Sequence, residues 1–310
     1  MRRITIIALS LLSAIAAVSC HNSEKELTPA AKAMAILRDP SSEKVLVAAH
    51  RADWRHHPEN SIPAIESVIK MGVDIVELDV AMTSDGVLVL SHDNTVDRTT
   101  NGSGLVSSYT LDSLRHLRLK GAHGVIIDTL GMPTLEEALT VCKDRILVNV
   151  DHGWDYFPQV LEIAQKVGCV DQIIFKAGGT REATAEAMNS CEEAGILFMP
   201  IVTISKDGTS EAIDSYLDGG KMPVMFEVIF SNDIPQVDSY TKALREAGSK
   251  IWVNSIWASL CGGNDDERAF QSPEEADAAY GRLLSLGFNA FQTDRPEFII
   301  DYLRKKGLHD

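Results

Sequence analysis

Five residues in the stretch 50–92 could together carry out metal-assisted phosphoryl chemistry: His50, Arg51, Glu77, Asp79 and His92. Glu77 and Asp79 stand two residues apart in the run DIVELDVAM. A β-strand would place both carboxylates on one face, with Cα atoms about 7 Å apart, where they can bind one hard divalent cation. The apolar neighbours leave no solvated face for a surface strand, and a buried acid pair needs a counter-charge. We therefore predict a cation site here.

His92 is predicted to return to these acids. Thr83-Ser84-Asp85-Gly86 is a turn signal between two apolar runs, so residues 76–82 and 87–91 are predicted to form a β-hairpin. If Met82 pairs with Val87, Glu77 lies opposite His92 within a residue or two. A lone histidine at a strand end is more often structural than catalytic, but the two acids opposite favour a catalytic role for this one.

His50 and Arg51 follow a short apolar run, residues 44–49, that is typical of a buried strand. A basic pair after such a strand could be a solvated loop. In combination with the acids it instead suits phosphoryl chemistry, because a guanidinium can bind phosphate oxygens bidentately and an imidazole exchanges a proton near neutral pH.

The first nineteen of the 310 residues differ from the rest of the chain. Arg2 and Arg3 precede an uncharged apolar stretch that ends in small residues before Cys20, which predicts a secretory signal. The cysteine resembles that of a bacterial lipobox, although Ala17 stands where leucine is commoner. We expect an exported, periplasmic or outer-membrane lipoprotein, with residues 20–43 as its lipidated N-terminus and polar tether. An ordinary signal peptide cleaved nearby is the alternative.

The charge of the chain limits its partners. The net charge is −15, and loss of Arg2 and Arg3 with the signal would make it −17. Such an acidic protein disfavours nucleic acid and electrostatic docking on anionic lipid. We therefore expect membrane attachment through a lipid anchor at Cys20 alone, and the sequence indicates no obligate protein partner.

The four other cysteines lack zinc-site spacing. Those at positions 142, 169 and 191 are predicted to be core thiols, and a disulfide between cysteines is the alternative.

From residue 44 onward, short apolar runs alternate with helix-period segments, the pattern of βα units. Eight such units, with no GxGxxG after the first strand, favour a (β/α)8 TIM barrel over an open doubly wound sheet. The predicted strands are 45–49, 74–80, 146–151, 171–176, 196–201, 223–227, 250–255 and 288–293. The predicted helices are 60–71, 134–143, 156–167, 180–194, 209–217, 236–247, 273–286 and 296–306. Within the domain 44–310, residues 93–132 break the alternation and are predicted to be a small subdomain inserted after the second strand.

Barrel enzymes build their sites at the C-terminal ends of the strands, and nearly every predicted strand ends in polar residues. These are His50 and Arg51, Glu77 and Asp79, Asp151 and His152, Lys176, Glu227, Trp252 with Asn254, and Thr293 with Asp294.

The sequence resembles the glycerophosphodiester phosphodiesterase family across residues 44–304. The motifs that carry the resemblance, in order, are His50-Arg51, Pro58-Glu59-Asn60-Ser61, Glu77-x-Asp79, Asp85-Gly86, His92-Asp93, Arg98-Thr99-Thr100 with Gly102 and Gly104, and Thr293-Asp294-Arg295-Pro296. The resemblance implies a TIM barrel with a small inserted subdomain and one divalent cation, Ca²⁺ or Mg²⁺. It also implies that the two histidines of the first and fifth motifs, His50 and His92, are catalytic.

The third metal motif departs from the family's usual Asn-x-Glu-x-Lys. This chain has Asn149-Val150-Asp151-His152-Gly153, so we expect Asp151 to join Glu77 and Asp79 as a metal ligand. The lysine is missing. We expect Lys176, on the neighbouring strand, to supply its charge to the substrate phosphate, with His152 as a weaker candidate. Ala52 in place of the glycine of His-Arg-Gly is expected to be a mild change.

The reaction that the resemblance implies is metal-dependent hydrolysis of a small glycerophosphodiester to glycerol 3-phosphate and an alcohol. The three carboxylates would bind the cation, Arg51 would offset growing charge, and the two histidines would act as acid and base, in an order that the sequence leaves open. Glu59 and Trp252 are further expected substrate contacts, with a barrel-core position as an equal alternative for Trp252.

Other functions remain open. A related barrel phosphodiesterase could act on lysophospholipid, sphingolipid or phosphoinositol head groups. A non-catalytic lipoprotein could bind phosphodiesters in a relic site, although retention of both histidines and three carboxylates argues against it. A metal-independent phosphoinositide lyase is disfavoured because its site needs no triple carboxylate.

Overall fold

The apolar runs form a closed barrel in the computed structural model, which describes residues 27–310. Its eight parallel strands are β1 (Leu46–Ala49), β2 (Ile75–Met82), β4 (Leu147–Asp151), β5 (Ile173–Gly178), β6 (Leu197–Ile204), β7 (Met225–Phe230), β8 (Lys250–Asn254) and β9 (Ala290–Thr293). The barrel closes because β1 pairs in parallel with both β2 and β9. This confirms the predicted TIM barrel, and it brings the C-terminal ends of all eight strands to one face.

Helices precede, connect and follow the strands, and most of them cover the outside of the barrel. They are α1 (Pro29–Arg38), α2 (Ile62–Met71), α3 (Leu111–Leu114), α4 (Leu135–Cys142), α5 (Phe157–Val167), α6 (Ala185–Ala194), α7 (Glu211–Leu217), α8 (Pro235–Glu246), α9 (Asp266–Ala269), α10 (Pro273–Ala276), α11 (Arg282–Ser285) and α12 (Pro296–Lys305). A π-helical turn, Asp277–Gly281, joins α10 to α11. The helix ends follow their capping signals: Ser61 caps α2 through the backbone N–H of Ala64, and the left-handed Gly72 ends it.

The predicted hairpin is present, with β3 (Leu88–Leu90) antiparallel to β2. Met82 pairs with Leu88, not with Val87 as expected. The shift arises because Thr83 itself closes the turn: its backbone N–H donates to the carbonyl of Val87, and its hydroxyl accepts from the N–H of Val87. His92 still returns to the end of β2.

Residues 93–132 lie outside the βα alternation and have a small core of their own. Val96, Val106, Leu114, Leu119 and Met132 pack together with Val89 of β3. The insertion is therefore anchored to the hairpin that delivers His92.

The interior of the barrel changes from apolar to polar along the strands. Its lower layer is built from Leu46, Ala48, Ile75, Leu147, Ile174, Leu197, Met199, Met225, Trp252 and Ala290. Helix α1 closes this lower end, with Ala30, Ala33 and Leu37 buried against that layer. The prediction of a polar tether is wrong for residues 29–38, because three apolar side chains at helical spacing give this segment a buried face.

The predicted signal (residues 1–19) and Cys20 lie outside the described residues. Within residues 27–310, no helix is both long enough and apolar enough to cross a membrane. Cys142, Cys169, Cys191 and Cys261 are buried free thiols.

Candidate active site

Three acids meet at the C-terminal ends of two neighbouring strands. Glu77 and Asp79 alternate along β2 and are both buried. In the parallel register with β4, Asp79 lies beside Asp151, the last residue of that strand. Since residues of like parity share a face of a strand, all three carboxylates point into the barrel. The predicted metal ligands are thus brought together.

The electrostatics of this cluster suit a bound cation. Burial and the adjacent charge of Asp79 raise the pKa of Glu77 above its usual range. Asp79 accepts one hydrogen bond from the amide of Asn60 at 2.8 Å, but its other oxygen, Oδ1, is buried without a partner among the described residues. A buried, unpaired carboxylate oxygen is costly unless a cation or a donor is bound there. The residues present therefore fit a divalent cation.

One oxygen each of Asp79 and Asp151 and one ring nitrogen of His152 all lie within 4.8 Å of one another. Glu77 falls outside this closest set, and its Oε2 accepts the backbone N–H of Arg51 at 2.8 Å. Although burial favours the neutral acid, the charges of Lys176 and His152 lower the pKa of Asp151. His152, expected as a weak substrate contact, thus lies closer to the acids than the sequence indicated.

His50 is held by a carboxylate behind it. Its Nδ1 lies 2.8 Å from Oδ1 of Asp294. A carboxylate can only accept, so Nδ1 is the donor and Nε2 is left as the basic nitrogen. Burial disfavours the imidazolium, but the hydrogen bond to Asp294 and the charge of Glu77 outweigh it and raise the pKa of His50. Asp294 also accepts from Trp54 Nε1 at 2.7 Å.

A second buried carboxylate supports Asp294. Asp266 on α9 accepts the backbone N–H of Asp294 at 2.7 Å and the hydroxyl of Thr293 at 2.8 Å. Its other oxygen accepts from Ser255 and Tyr280. Burial raises the pKa of Asp266 to about 6 even though these donors favour the ionised form. The loop between β8 and α10 therefore fixes the end of β9 and, through it, His50.

His92 is oriented in the same way by its neighbour. Its Nδ1 lies 2.7 Å from Oδ1 of Asp93. A hydrogen bond from Arg98, at 2.7 Å, opposes burial and lowers the pKa of Asp93 to about 2. Arg98 also donates to Glu59 at 2.8 Å, and Glu59 lies 3.4 Å from Arg51. Glu59 thus joins the two arginines, and this network connects the insertion to the first strand.

Lys176 lies at the acid cluster, on β5. Its Nζ is 3.6 Å from Asp151 and 3.5 Å from Glu227. Burial disfavours the ammonium, but these acids outweigh it and raise the pKa of Lys176. The structure also explains the missing family lysine at position 153. A Cβ on Gly153 would come within 2.7 Å of Phe175 and Val150, so no larger residue fits where the chain turns.

Trp252 is not in the site. It is fully buried in the lower layer of the barrel, and its Nε1 donates to Asn254 at 2.7 Å. The expected contact with glycerol is therefore wrong, and the barrel-core alternative is what the structure shows. Trp257 in the following loop is 54% exposed, and its ring centroid lies 6.1 Å from that of His50.

Strained backbone concentrates at the site. Arg51, Ala52, Asn60 and His152 have φ of 52°, 62°, 54° and 57°. Such left-handed conformations are uncommon for residues other than glycine and are often found at functional sites. Ala52 is therefore not an entirely mild replacement, since it occupies a conformation that the glycine of His-Arg-Gly would adopt freely.

Some supporting residues were not among the predicted site residues. Asp294 and Asp93 stand in motifs noted above, and their position next to a strand end was the available signal. Asp266 and Trp257 lie in the segment between β8 and α10, and no sequence pattern pointed to them.

Comparisons with known proteins agree with the fold and with the motifs. A family model described as a domain of unknown function, DUF4996, matches residues 198–303. A glycerophosphodiester phosphodiesterase of Caldanaerobacter subterraneus subsp. tengcongensis is 43% identical over 109 residues, 35% of this chain and 45% of the relative. The rat glycerophosphodiester phosphodiesterase 1 is 41% identical over 179 residues, 53% of this chain and 54% of the relative. The chain spans about half the length of the curated relatives it matches.

Solved structures match over most of the chain. A glycerophosphoryl diester phosphodiesterase from Parabacteroides distasonis has a TM-score of 0.73 at 23% identity, and the match covers 91% of this chain and 93% of that one. An Oleispira antarctica phosphodiesterase, solved with the product sn-glycerol-3-phosphate, has a TM-score of 0.57 at 20% identity and covers 84% and 96%. At these identities the structural matches support the fold. The names of the curated and structural neighbours confirm the resemblance that the motifs indicated.

Proposed function

We infer that this chain belongs to the glycerophosphodiester phosphodiesterase family and that it hydrolyses small glycerophosphodiesters to glycerol 3-phosphate and an alcohol with the aid of a divalent cation. The observation that carries the proposal is the convergence of three acids and two carboxylate-bound histidines at the C-terminal end of one barrel. A site of this kind can bind a phosphate, supply a proton to a leaving alkoxide and remove one from a nucleophile. The product bound in the Oleispira relative supports the substrate class.

Glu77, Asp79 and Asp151 would hold the cation. When bound, it would polarise a phosphate oxygen and offset the charge that grows in the transition state. Arg51 stands at the same strand end, 3.7 Å from Asp79 through its Nε, which has no hydrogen-bond partner among the described residues. Its guanidinium is therefore available to bind a phosphate oxygen.

The two histidines would share the proton transfers. In each, a carboxylate accepts from Nδ1, so Nε2 can take a proton in the neutral ring and donate one in the charged ring. Asp294 and Asp93 would stabilise the imidazolium as it forms, as the orienting acid does in other catalytic triads. The more strongly buried His50 and the half-exposed His92 differ in environment, and pH profiles of single variants would assign the base and the acid.

Lys176 would replace the missing lysine of the third metal motif. It is a buried point charge 3.6 Å from Asp151. From there its positive charge would favour the phosphodiester anion at the cation site and keep Asp151 ionised. Glu227, whose Oε2 lies 3.5 Å from the Nζ of Lys176, offsets part of the positive charge of the lysine.

A product analysis tests the reaction class. Purified protein is incubated with glycerophosphocholine, glycerophosphoinositol, a lysophosphatidylcholine and sphingomyelin, and the phosphorylated product of each is identified by ³¹P NMR. We expect glycerol 3-phosphate from the first two substrates. Phosphocholine or a cyclic inositol phosphate would indicate one of the other barrel phosphodiesterases, and no turnover of any substrate would favour a binding protein.

We also propose that the protein is exported and attached to a membrane through a lipid on Cys20. The support is the order of charged, apolar and small residues before that cysteine. The Cys20→Ser variant should be absent from the membrane fraction, and the purified variant should have the kcat/KM of the wild type. If the variant still sediments with membranes after a salt wash, another surface of the protein does the binding.

A further inference from the structure

His152 occupies a position that the implied metal motif leaves without a role. It follows Asp151 directly, at the place of a variable residue in Asn-x-Glu-x-Lys. Its ring nitrogens have no hydrogen-bond partner among residues 27–310, and one of them lies within 4.8 Å of an oxygen of Asp79 and an oxygen of Asp151. A buried acid, a partly buried acid and an exposed imidazole without a hydrogen-bond partner in the described range thus lie close together.

We propose that His152 is a ligand of the bound cation, so that this chain binds its metal through a nitrogen as well as through carboxylate oxygens. The proposal rests on the cation of the proposed function and adds a ligand to it. Oδ1 of Asp79 is the second observation that points to a ligand, because it is a fully buried oxygen without a partner in the described part of the chain.

The backbone supports this placement. His152 has φ 57° and ψ 6°, a left-handed conformation that is uncommon for residues other than glycine. The next residue, Gly153, lies so close to Phe175 and Val150 that a Cβ would not fit there. Because the strand ends at its last acid, Asp151, the next side chain is turned back to the cluster. In a continued strand, position 152 would face away from the acids.

The ligand change has a chemical consequence. Ca²⁺ and Mg²⁺ prefer oxygen ligands, whereas imidazole favours later divalent ions such as Co²⁺ and Zn²⁺, with Mn²⁺ accepted by both ligand types. Asp151 is also one methylene shorter than glutamate, which reduces its reach and leaves space for the imidazole. We therefore expect this chain to prefer Mn²⁺, Co²⁺ or Zn²⁺ over Ca²⁺.

Metal binding, measured apart from catalysis, tests the proposal. His152→Asn and His152→Gly remove the imidazole and suit the left-handed backbone. His116→Ala is the matched control, because His116 is an exposed histidine in the insertion. Co²⁺ affinity is measured by calorimetry with the full-length protein, and pulsed EPR of bound Mn²⁺ reports coupling to a ligand nitrogen.

We expect nitrogen coupling in the wild type and in His116→Ala, and its loss in both His152 variants. Their Co²⁺ affinity should fall by about a hundredfold, since loss of a ligand should cost at least as much as loss of an outer partner, which is about 10–100-fold. Their Ca²⁺ affinity should change much less. Persistent nitrogen coupling with unchanged Co²⁺ affinity in the His152 variants would overturn the assignment.

The experiments can refute the ligand assignment and the proposed reaction separately. A wild type that hydrolyses glycerophosphocholine, with His152 variants that bind Co²⁺ normally, would refute only the ligand assignment. A wild type that binds Co²⁺ through His152 but hydrolyses no phosphodiester would refute only the proposed function.

Discussion

The two halves of the barrel interior are built from the same strands, but one is lined mainly by apolar side chains and the other by charged ones. The lower half is lined mainly by apolar side chains, is closed by α1 and buries Leu37 completely against strand residues. The upper half buries Glu77, Asp79 and Lys176 within a few ångströms of unlike and like charges. Polar oxygens without partners in residues 27–310 occur in this half, at Asp79, Asn149 and Gln292. We infer that the lower half supplies stability and that the upper half gives up stability to bind a cation and a phosphate.

The largest expected effect lies in the upper half. His50→Ala and His92→Ala should each lower kcat by about 10²–10⁴-fold, the range typical of general acid–base groups. The double variant should be little slower than the worse single variant, because both groups act on one reaction step. Thermal unfolding of each variant serves as the control for folding. Fully additive losses would show that the two histidines do not share a step.

A variant of Lys176 tests whether one buried charge contributes both to the stability of the fold and to the rate of the reaction. Lys176→Met should lower kcat/KM by about 10–1000-fold, or roughly 1.4–4 kcal/mol of transition-state stabilisation. It should also destabilise the fold, because Glu227 would lose its buried counter-charge. The matched control is the double variant Lys176→Met with Glu227→Gln, which should regain stability without regaining rate. A normal kcat/KM in the single variant would assign Lys176 to the structure alone.

The smallest effect on catalysis is expected at the lower end. Leu37→Ala in α1 should reduce the free energy of unfolding by about 2–5 kcal/mol, because it leaves a cavity under the barrel. Its kcat/KM should equal that of the wild type, measured well below the unfolding temperature. A large loss of kcat/KM in a folded Leu37→Ala protein would mean that the two halves are coupled and that the comparison fails.

The alternation of side chains on a strand was enough to predict the core of the upper half. Glu77 and Asp79 share a face by period alone, and the hairpin returned His92 to them even with its register shifted by one residue. The rule that parallel strands end on one face placed Lys176 and Asp151 at the site, and the resemblance to the family supplied their roles. These inferences depend on local periodicity, on one topological rule and on that resemblance.

The positions of irregular segments in the folded protein could not be predicted from periodicity and strand order. Trp252 and Trp257 are five residues apart, but one is in the lower core and the other is beside His50. The difference depends on how the loop after β8 folds, and Asp266 fixes that loop through hydrogen bonds to residues far along the chain. Helix α1 did carry a signal, in the N-cap Thr28, Pro29 and the spacing of Ala30, Ala33 and Leu37. Its polar surroundings concealed that signal.

The most direct test of the account is the rate of glycerol 3-phosphate release from glycerophosphocholine by metal-stripped protein, measured as divalent cation is added back. The buried acids at the upper end predict no measurable release after stripping and full recovery at saturating cation. Release at the full rate in a preparation shown by mass spectrometry to contain no divalent metal would contradict the account, because Glu77, Asp79 and Asp151 would then be buried together for another reason.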